Sequence, residues 1–216
     1  MNSLELDHVF CFCDPDLLET AILENHGFTI TSGRSHQGQG TANRSVLFEK
    51  NYLELIFLSS EHEAKENPLR LDRRALWKQT GASPFGIALR GFLTERDRQH
   101  FWEYNPPYLQ SGSILIHRTS EGNGPPIFLV PPRNDTMSAM HPKNWPSLDH
   151  SLLKHSSGSK EIVSLQLIGP DYHWPLANRI PNINLMSSDS AHMKVSLEGR
   201  RVSEISMNSL VSIVIS

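Results

Sequence analysis

Residues 4–58 change apolar period twice, from two to about 3.6 and back to two, and that alternation constrains the fold more than any other feature. A strand over about residues 4–13 runs into Asp14-Pro15, a helix N-cap followed by proline at the first helical position. Leu17, Leu18, Ala21 and Ile22 then make an apolar stripe at helical spacing, and Gly27 closes the helix. Phe28–Thr31 reads as a short strand, and Gly33 to Ala42 as a polar, glycine-rich loop. Strands at about Asn43–Glu49 and Tyr52–Leu58 meet at a tight turn near Lys50-Asn51. The order is β-α-β-β-β, which implies a mostly antiparallel sheet covered by helices on one face.

The same opening recurs. After a charged segment, Ser59–Pro68, and a helical stretch around Leu71–Lys78, Pro84–Arg90 starts a second strand. Thr94 with Glu95 behind it opens a helix that extends to about Tyr104 and stops at Pro106-Pro107. Strands at about Ile114–His117 and Ile127–Val130 follow, then a long proline-, serine- and histidine-rich loop from Pro131 to Lys160. A third start, Glu161–Ile168, precedes Gly169-Pro170-Asp171, a helix across Trp174–Arg179, and strands at about Met193–Leu197, Val202–Met207 and Leu210–Ile215. Three strand-then-helix starts indicate an internal repeat. The expected fold class is α+β, built of β-α-β-β-β modules at 1–59 and 161–216, a middle β-α-β-β module with a long loop at 84–160 and a linker at 60–83.

The formal net charge of -3 and the lack of a basic stripe argue against nucleic acid as a partner. No apolar run reaches membrane-span length, and Met1–His8 has no signal-peptide pattern. The two cysteines, Cys11 and Cys13, do not make a disulfide framework, so a reducing cytoplasm is expected. They read as a pair buried between sheet and helix. A small molecule is the expected partner, and association into a homodimer is left open.

Two polar side chains stand on apolar strand faces. Period-two alternation puts His8 with Leu6, Phe10 and Phe12, and Glu54 with Tyr52 and Ile56. A carboxylate buried unpaired costs several kcal/mol, so a metal, a substrate or a partner cation should compensate it. The plainer arrangement is a buried neutral histidine hydrogen-bonded to Glu54. The Gly38-x-Gly40 loop lacks the lysine of a phosphate-binding loop and reads as a turn with positive φ at its glycines, tied down by Thr41 and Asn43.

Leu-Asp-His-Val-Phe at 6–10, Gly27-Phe28, His36-x-Gly38-x-Gly40-Thr41-x-Asn43 and Tyr52-Leu53-Glu54-Leu55-Ile56 together resemble the glyoxalase-like domain of the vicinal oxygen chelate superfamily. Lys154–Gly158 leading into Ile162–Leu167 is similar to the start of that family's later repeat. The resemblance implies paired modules curled into a cup, with a divalent ion (zinc, iron, manganese or nickel) held by the first and fourth strands in the metal-using members. It places His8 and Glu54 at two ligand positions and makes them the candidate catalytic groups. His36, Asn43, Tyr52, Arg90 and Phe10 become candidate substrate contacts, with Arg90 as an anchor for an anionic group. Phe85–Leu89, Ile127–Val130 and Leu210–Ile215 carry no ligand-type side chain, and the third start offers only Gln166. A third ligand would have to come from His36, His117, His141 or His155. Two functions compete: metal-assisted or metal-free proton-transfer chemistry of a lyase or isomerase on a small oxygenated molecule, and non-catalytic sequestration of an aromatic or hydrophobic compound between Phe10, Phe12 and Tyr52.

Overall fold

A computed structural model describes residues 4–16, 18–110, 112–130, 137–170, 172, 176, 180–199 and 203–216. Its first sheet has eight strands: β1 (Leu4–Phe12), β2 (Arg34–His36), β3 (Thr41–Leu47), β4 (Tyr52–Leu58), β5 (Phe85–Gly91), β6 (Phe101–Tyr104), β7 (Ile114–His117) and β8 (Ile127–Val130). Their order, β2-β3-β4-β1-β5-β8-β7-β6, reads alike from either end. β1 runs parallel to β4 and β5 parallel to β8, while β1 and β5 meet antiparallel at the centre. The first two starts are therefore two copies of one module, joined edge to edge by their first strands. Helix α1 (Leu18–Asn25) belongs to the first copy, α2 (Glu61–Glu66), α3 (Leu71–Ala75) and α4 (Trp77–Thr80) fill the linker, and α5 (Glu95–Arg98) belongs to the second.

The remaining strands, β9 (Glu161–Gly169), β10 (Ile183–Ser187), β11 (His192–Glu198), β12 (Ser203–Ser206) and β13 (Val211–Ile215), form a second sheet in the order β10-β9-β11-β13-β12. It is wired differently from a third β-α-β-β-β copy, which would place the last strand beside the first. Here β9 pairs antiparallel with β11, and each has a parallel partner outside it, β10 or β13. No periodicity marks β10, and its parallel pairing with β9 makes it a strand. The helix expected across Trp174–Arg179 lies, except for Leu176, outside the described residues. Leu165, Leu167, Met193, Val195, Val211 and Ile213 of this sheet share one core with Val9, Cys11, Leu55, Ile87 and Leu89 of the first. The outer face of the eight-stranded sheet is thus covered by a second sheet as well as by α1, whose Leu23 enters the same core. Cys11 and Cys13 are free thiols on that covered side, 3.8 Å apart. Among the described residues no helix is long and apolar enough to cross a membrane.

Three local departures from the sequence expectation have identifiable causes. Phe28–Thr31 is irregular because its polar groups are taken elsewhere: Thr29 N–H donates to His155 Nδ1 at 3.0 Å, and Thr31 exchanges bonds with Ser45. The strand moves into the supposed loop, where Arg34 pairs with Asn43 and His36 with Thr41 around a turn whose glycines, Gly38 and Gly40, have φ of 73° and 74°. The helix expected to reach Tyr104 stops at Arg98, and the aromatic run Phe101–Tyr104 becomes strand β6 against β7. A third shift is a bulge in β1, where Leu6 opposes Leu89 and His8 opposes Ala88, leaving Asp7 as the extra residue. Leu6 therefore packs with the main core and not, as alternation predicts, on the face of His8.

Residues 154–157 stitch the C-terminal part to the first module. Thr29 Oγ1 donates to the Lys154 carbonyl at 2.7 Å, and Ser157 N–H to the Gly27 carbonyl at 3.3 Å. His155 is buried with Nε2 against the Leu47 carbonyl at 2.8 Å and Nδ1 accepting from Thr29. That pattern fixes one neutral tautomer, and burial lowers the imidazole pKa below its ordinary value. The unfolded chain therefore takes up the proton first, so the stability from this group is complete above about pH 6.5 and falls as pH drops below it. His155→Leu should cost about 2–3 kcal/mol in urea unfolding at pH 7.5, by leaving Thr29 N–H and the Leu47 carbonyl unpartnered. Its stability should also vary less between pH 7.5 and 5 than the wild type's, and an equal pH dependence would contradict the assignment.

Candidate functional site

On the uncovered face of the eight-stranded sheet lies a cavity of about 180 Å³, smaller than the usual range for ligand pockets and of a size for a small molecule only. β1 contributes His8 and Phe10, β2 Arg34 and His36, β3 Asn43, and β4 Tyr52, Glu54 and Ile56. The second module supplies mostly apolar wall: Ala88, Tyr104, Ile116, Phe128 and Val130. Six of the seven residues singled out from the sequence converge here. Phe10 sits close because Gly86 opposite it has no side chain; a Cβ there would overlap its ring. The Phe10 ring stacks on Phe128 at 5.4 Å.

His8 and Glu54 face each other, Nε2 to Oε2, at 3.4 Å. The other Glu54 oxygen accepts a hydrogen bond from Asn43 Nδ2, a contact that β3/β4 pairing makes possible. The second His8 nitrogen, Nδ1, lies 2.7 Å from Asp7 Oδ1. Both imidazole nitrogens therefore point at carboxylates, and a neutral ring has one N–H for the two contacts. Tyr52, the β4 neighbour of His8, stacks on the imidazole at 4.3 Å and 19°, and Trp145 packs edge-on against Tyr52 at 5.9 Å. Burial raises the Tyr52 and Tyr108 pKa values well above the ordinary phenol range, so both carry their protons. His36 is hydrogen-bonded to Thr41 Oγ1 at 3.0 Å and stacks on Tyr108 at 4.6 Å; burial lowers its pKa and keeps it neutral at pH 7.

Arg90 is the seventh residue, and it is not part of the cavity lining. Its side chain is 1% exposed, donating from Nη1 to Asp7 Oδ2 at 3.2 Å, from Nε to Glu5 Oε2 at 3.4 Å and from Nη2 to the Lys50 carbonyl at 2.6 Å. A guanidinium with three acceptors has no fork left for a ligand, so its place is as the counter-ion of Asp7. Phe12, a proposed wall of the aromatic slot, is also outside the lining. Sequence reading missed Asp7, Arg34, Gln39, Tyr104 and Tyr108. Asp7 was hidden by the bulge, which alternation cannot reveal, and the tyrosines follow segments read as helix end and loop.

The donor set does not fit a metal centre. Ala88 pairs with His8 across the central seam, and Val130 lies beside Arg90 as Glu54 lies beside Phe10. The repeat thus puts Ala88 and Val130 where the second module would supply its ligands, and neither has a lone pair to give. A divalent ion would have His8 and Glu54 alone, against the three or four protein ligands of stable sites. Among the described residues no group of three His, Cys, Asp or Glu could hold a metal. His117 is bonded to Thr119, His141 lies by Glu5, and His155 is in the stitch to β3.

The family model for the glyoxalase-like domain matches residues 6–173. A hypothetical protein from Staphylococcus aureus superposes with a TM-score of 0.61 at 11% identity, covering 99% of each chain, which shows a shared fold. A hypothetical protein from Bacillus halodurans C-125 gives a TM-score of 0.43 at 14% identity over 62% of this chain and 98% of its own. A methylmalonyl-CoA epimerase gives 0.42 at 20% identity over 62% of this chain and 99% of its own. No curated protein sequence matches significantly.

The two arginines near the site should behave oppositely. Arg90→Met strips the cation from buried Asp7 and should cost about 3–5 kcal/mol in urea unfolding. Arg34→Gln, at an exposed side chain, should change stability by less than about 0.5 kcal/mol. Equal effects would contradict the assignment of Arg90 as a structural counter-ion.

Proposed function

The chain belongs to the glyoxalase-like domain family, and on that premise we propose that it moves a proton on a small oxygenated organic molecule, with Glu54 as the general base. The observation that carries this reading is the polar series Asn43–Glu54–His8–Asp7 beside the cavity, hydrogen-bonded at both ends and with His8 Nε2 3.4 Å from Glu54 Oε2 in the middle. Asn43 fixes one oxygen of Glu54 and leaves the other towards the His8 Nε2 that can share its proton. Asp7, with Arg90 behind it, holds Nδ1 and so sets which nitrogen faces Glu54. In the reaction the C–H bond beside a carbonyl or carboxyl group breaks, the proton passes to Glu54 Oε2, and the electron pair moves onto the substrate oxygen. Tyr52 and Tyr108, kept protonated, are the neutral donors available to that oxygen. Return of the proton to carbon completes an isomerisation, and loss of a leaving group completes an elimination. No step is routed through a metal. The free thiols fit a reducing compartment such as the cytoplasm.

A second reading, sequestration without chemistry, is favoured by the aromatic wall of Phe10, Tyr52, Tyr104, Tyr108 and Phe128. The two separate in D2O. Incubated with a panel of small ketones and 2-hydroxy acids bearing acidic C–H bonds, the protein should catalyse deuterium incorporation, followed by NMR. Glu54→Gln should slow that exchange about 10²- to 10⁴-fold while keeping ligand-induced thermal shifts. Compounds that shift the melting temperature yet never exchange would leave sequestration as the function.

A further inference from the structure

Among the described residues of the cavity lining, Glu54 is the carboxylate and Arg34 on β2 the one guanidinium, with no lysine beside it; His36 is neutral at pH 7. The two buried arginines among the described residues have their acceptors inside the protein. Arg90 is held by Asp7, Glu5 and the Lys50 carbonyl, and Arg74 by the carbonyls of Ser83, Ser120, Gly122 and Gly124. Among the described residues Arg34 has no carboxylate within ion-pair distance. Its side chain is exposed at the cavity rim, with Cζ 5.0 Å from the centroid of the Tyr108 ring. Stacking of this kind orients the guanidinium plane without consuming its N–H donors.

The placement of Arg34 relative to Glu54 is not left to chance. Asn43 Oδ1 accepts the Arg34 backbone N–H at 3.0 Å, and Asn43 Nδ2 donates to Glu54. One amide side chain therefore ties the strand carrying the cation to the carboxylate, and the turn at Gly38 and Gly40 holds that strand against β3. The rest of the lining is largely aromatic and aliphatic. A molecule filling this space meets a forked cation, apolar surface and a hydrogen-bonded carboxylate.

We propose that Arg34 recognises the carboxylate of the ligand, and that the cavity takes small monocarboxylic acids with an apolar or aromatic body and an oxygen substituent. This deepens the proton-transfer reading and rests on it for the site, not for the chemistry. One guanidinium balances one negative charge, which suits a carboxylate and leaves the second charge of a phosphate monoester facing Glu54 unbalanced. Among the described residues, the lining holds no second arginine and no lysine to offset it, and His36 is neutral at pH 7. The bidentate match between guanidinium and carboxylate fixes which end of the acid meets Arg34.

Matched acids and esters test this by isothermal titration calorimetry: mandelate, lactate and 2-hydroxyisovalerate, each against its methyl ester. The wild type should bind at least one acid about 10- to 100-fold more tightly than its ester, the worth of a charge-assisted hydrogen bond. Arg34→Gln should abolish that preference by weakening the acid and sparing the ester, and Arg34→Lys should restore part of it. Both variants should melt with the wild type, since the side chain is exposed. Equal binding of acid and ester, a preference that survives in Arg34→Gln, or no binding of any acid overturns the proposal. If the preference fails while Glu54-dependent deuterium exchange on neutral ketones persists, recognition by Arg34 falls and proton transfer stands. An Arg34-dependent acid preference with no exchange has the opposite meaning.

Discussion

The antiparallel seam between β1 and β5 is the constraint on which the rest of the molecule depends. It joins the two modules, and it carries the bulge at Asp7. Without that extra residue, Leu6 and His8 would share a face, and one of them would be on the wrong side of the sheet. With it, Leu4, Leu6, Val9 and Cys11 all serve the core beneath the second sheet, while His8 and Phe10 turn to the cavity. The freed carboxylate of Asp7 then reaches both His8 and Arg90. A local irregularity of backbone register thus produces the orientation of the imidazole.

Electrostatics are sorted by the same geometry. Arg90 and Arg74 are fully used inside the protein, one by carboxylates and the other by backbone carbonyls; burial lowers the Arg74 pKa to about 10. His36, His117, His141 and His155 are each shifted down by burial and are neutral at pH 7. The histidine-rich composition therefore adds little positive charge to the interior. What remains for a ligand is the Arg34 fork at the rim and the Glu54 carboxylate inside, with Asn43 between them.

The strands of both modules were legible because their apolar alternation is long and their turns are marked by proline, glycine and asparagine. Tyr52–Leu58 and Phe85–Gly91 fall where the pattern places them. Shorter elements were misread where tertiary partners outweigh local signals. Phe28–Thr31 gives its hydrogen bonds to His155 and Ser45, and Phe101–Tyr104 gains its strand pairing from β7. The C-terminal segment resembles a third copy in sequence because its first strand and last hairpin look like the other starts. Its wiring depends on which strands meet in space, and no local period records that.

Alternation in the sequence put His8 with Phe10, and Glu54 with Tyr52, on strand faces, and the family resemblance added His36 and Asn43 to one cavity with them. The sequence by itself also determined that the second module has no metal ligand to offer, because Ala88 and Val130 are what the chain has there. Only the tertiary structure decided which arginine is available. Arg90 ends a strand bordering the cavity, yet the bulge delivers Asp7 to it, and a buried cation is held by the nearest buried anion. Arg34 lies in a segment that reads as a loop until pairing with β3 makes it a strand, and no carboxylate meets it there. Charge pairing across the fold is a three-dimensional competition, and its outcome is not written in spacing along the chain.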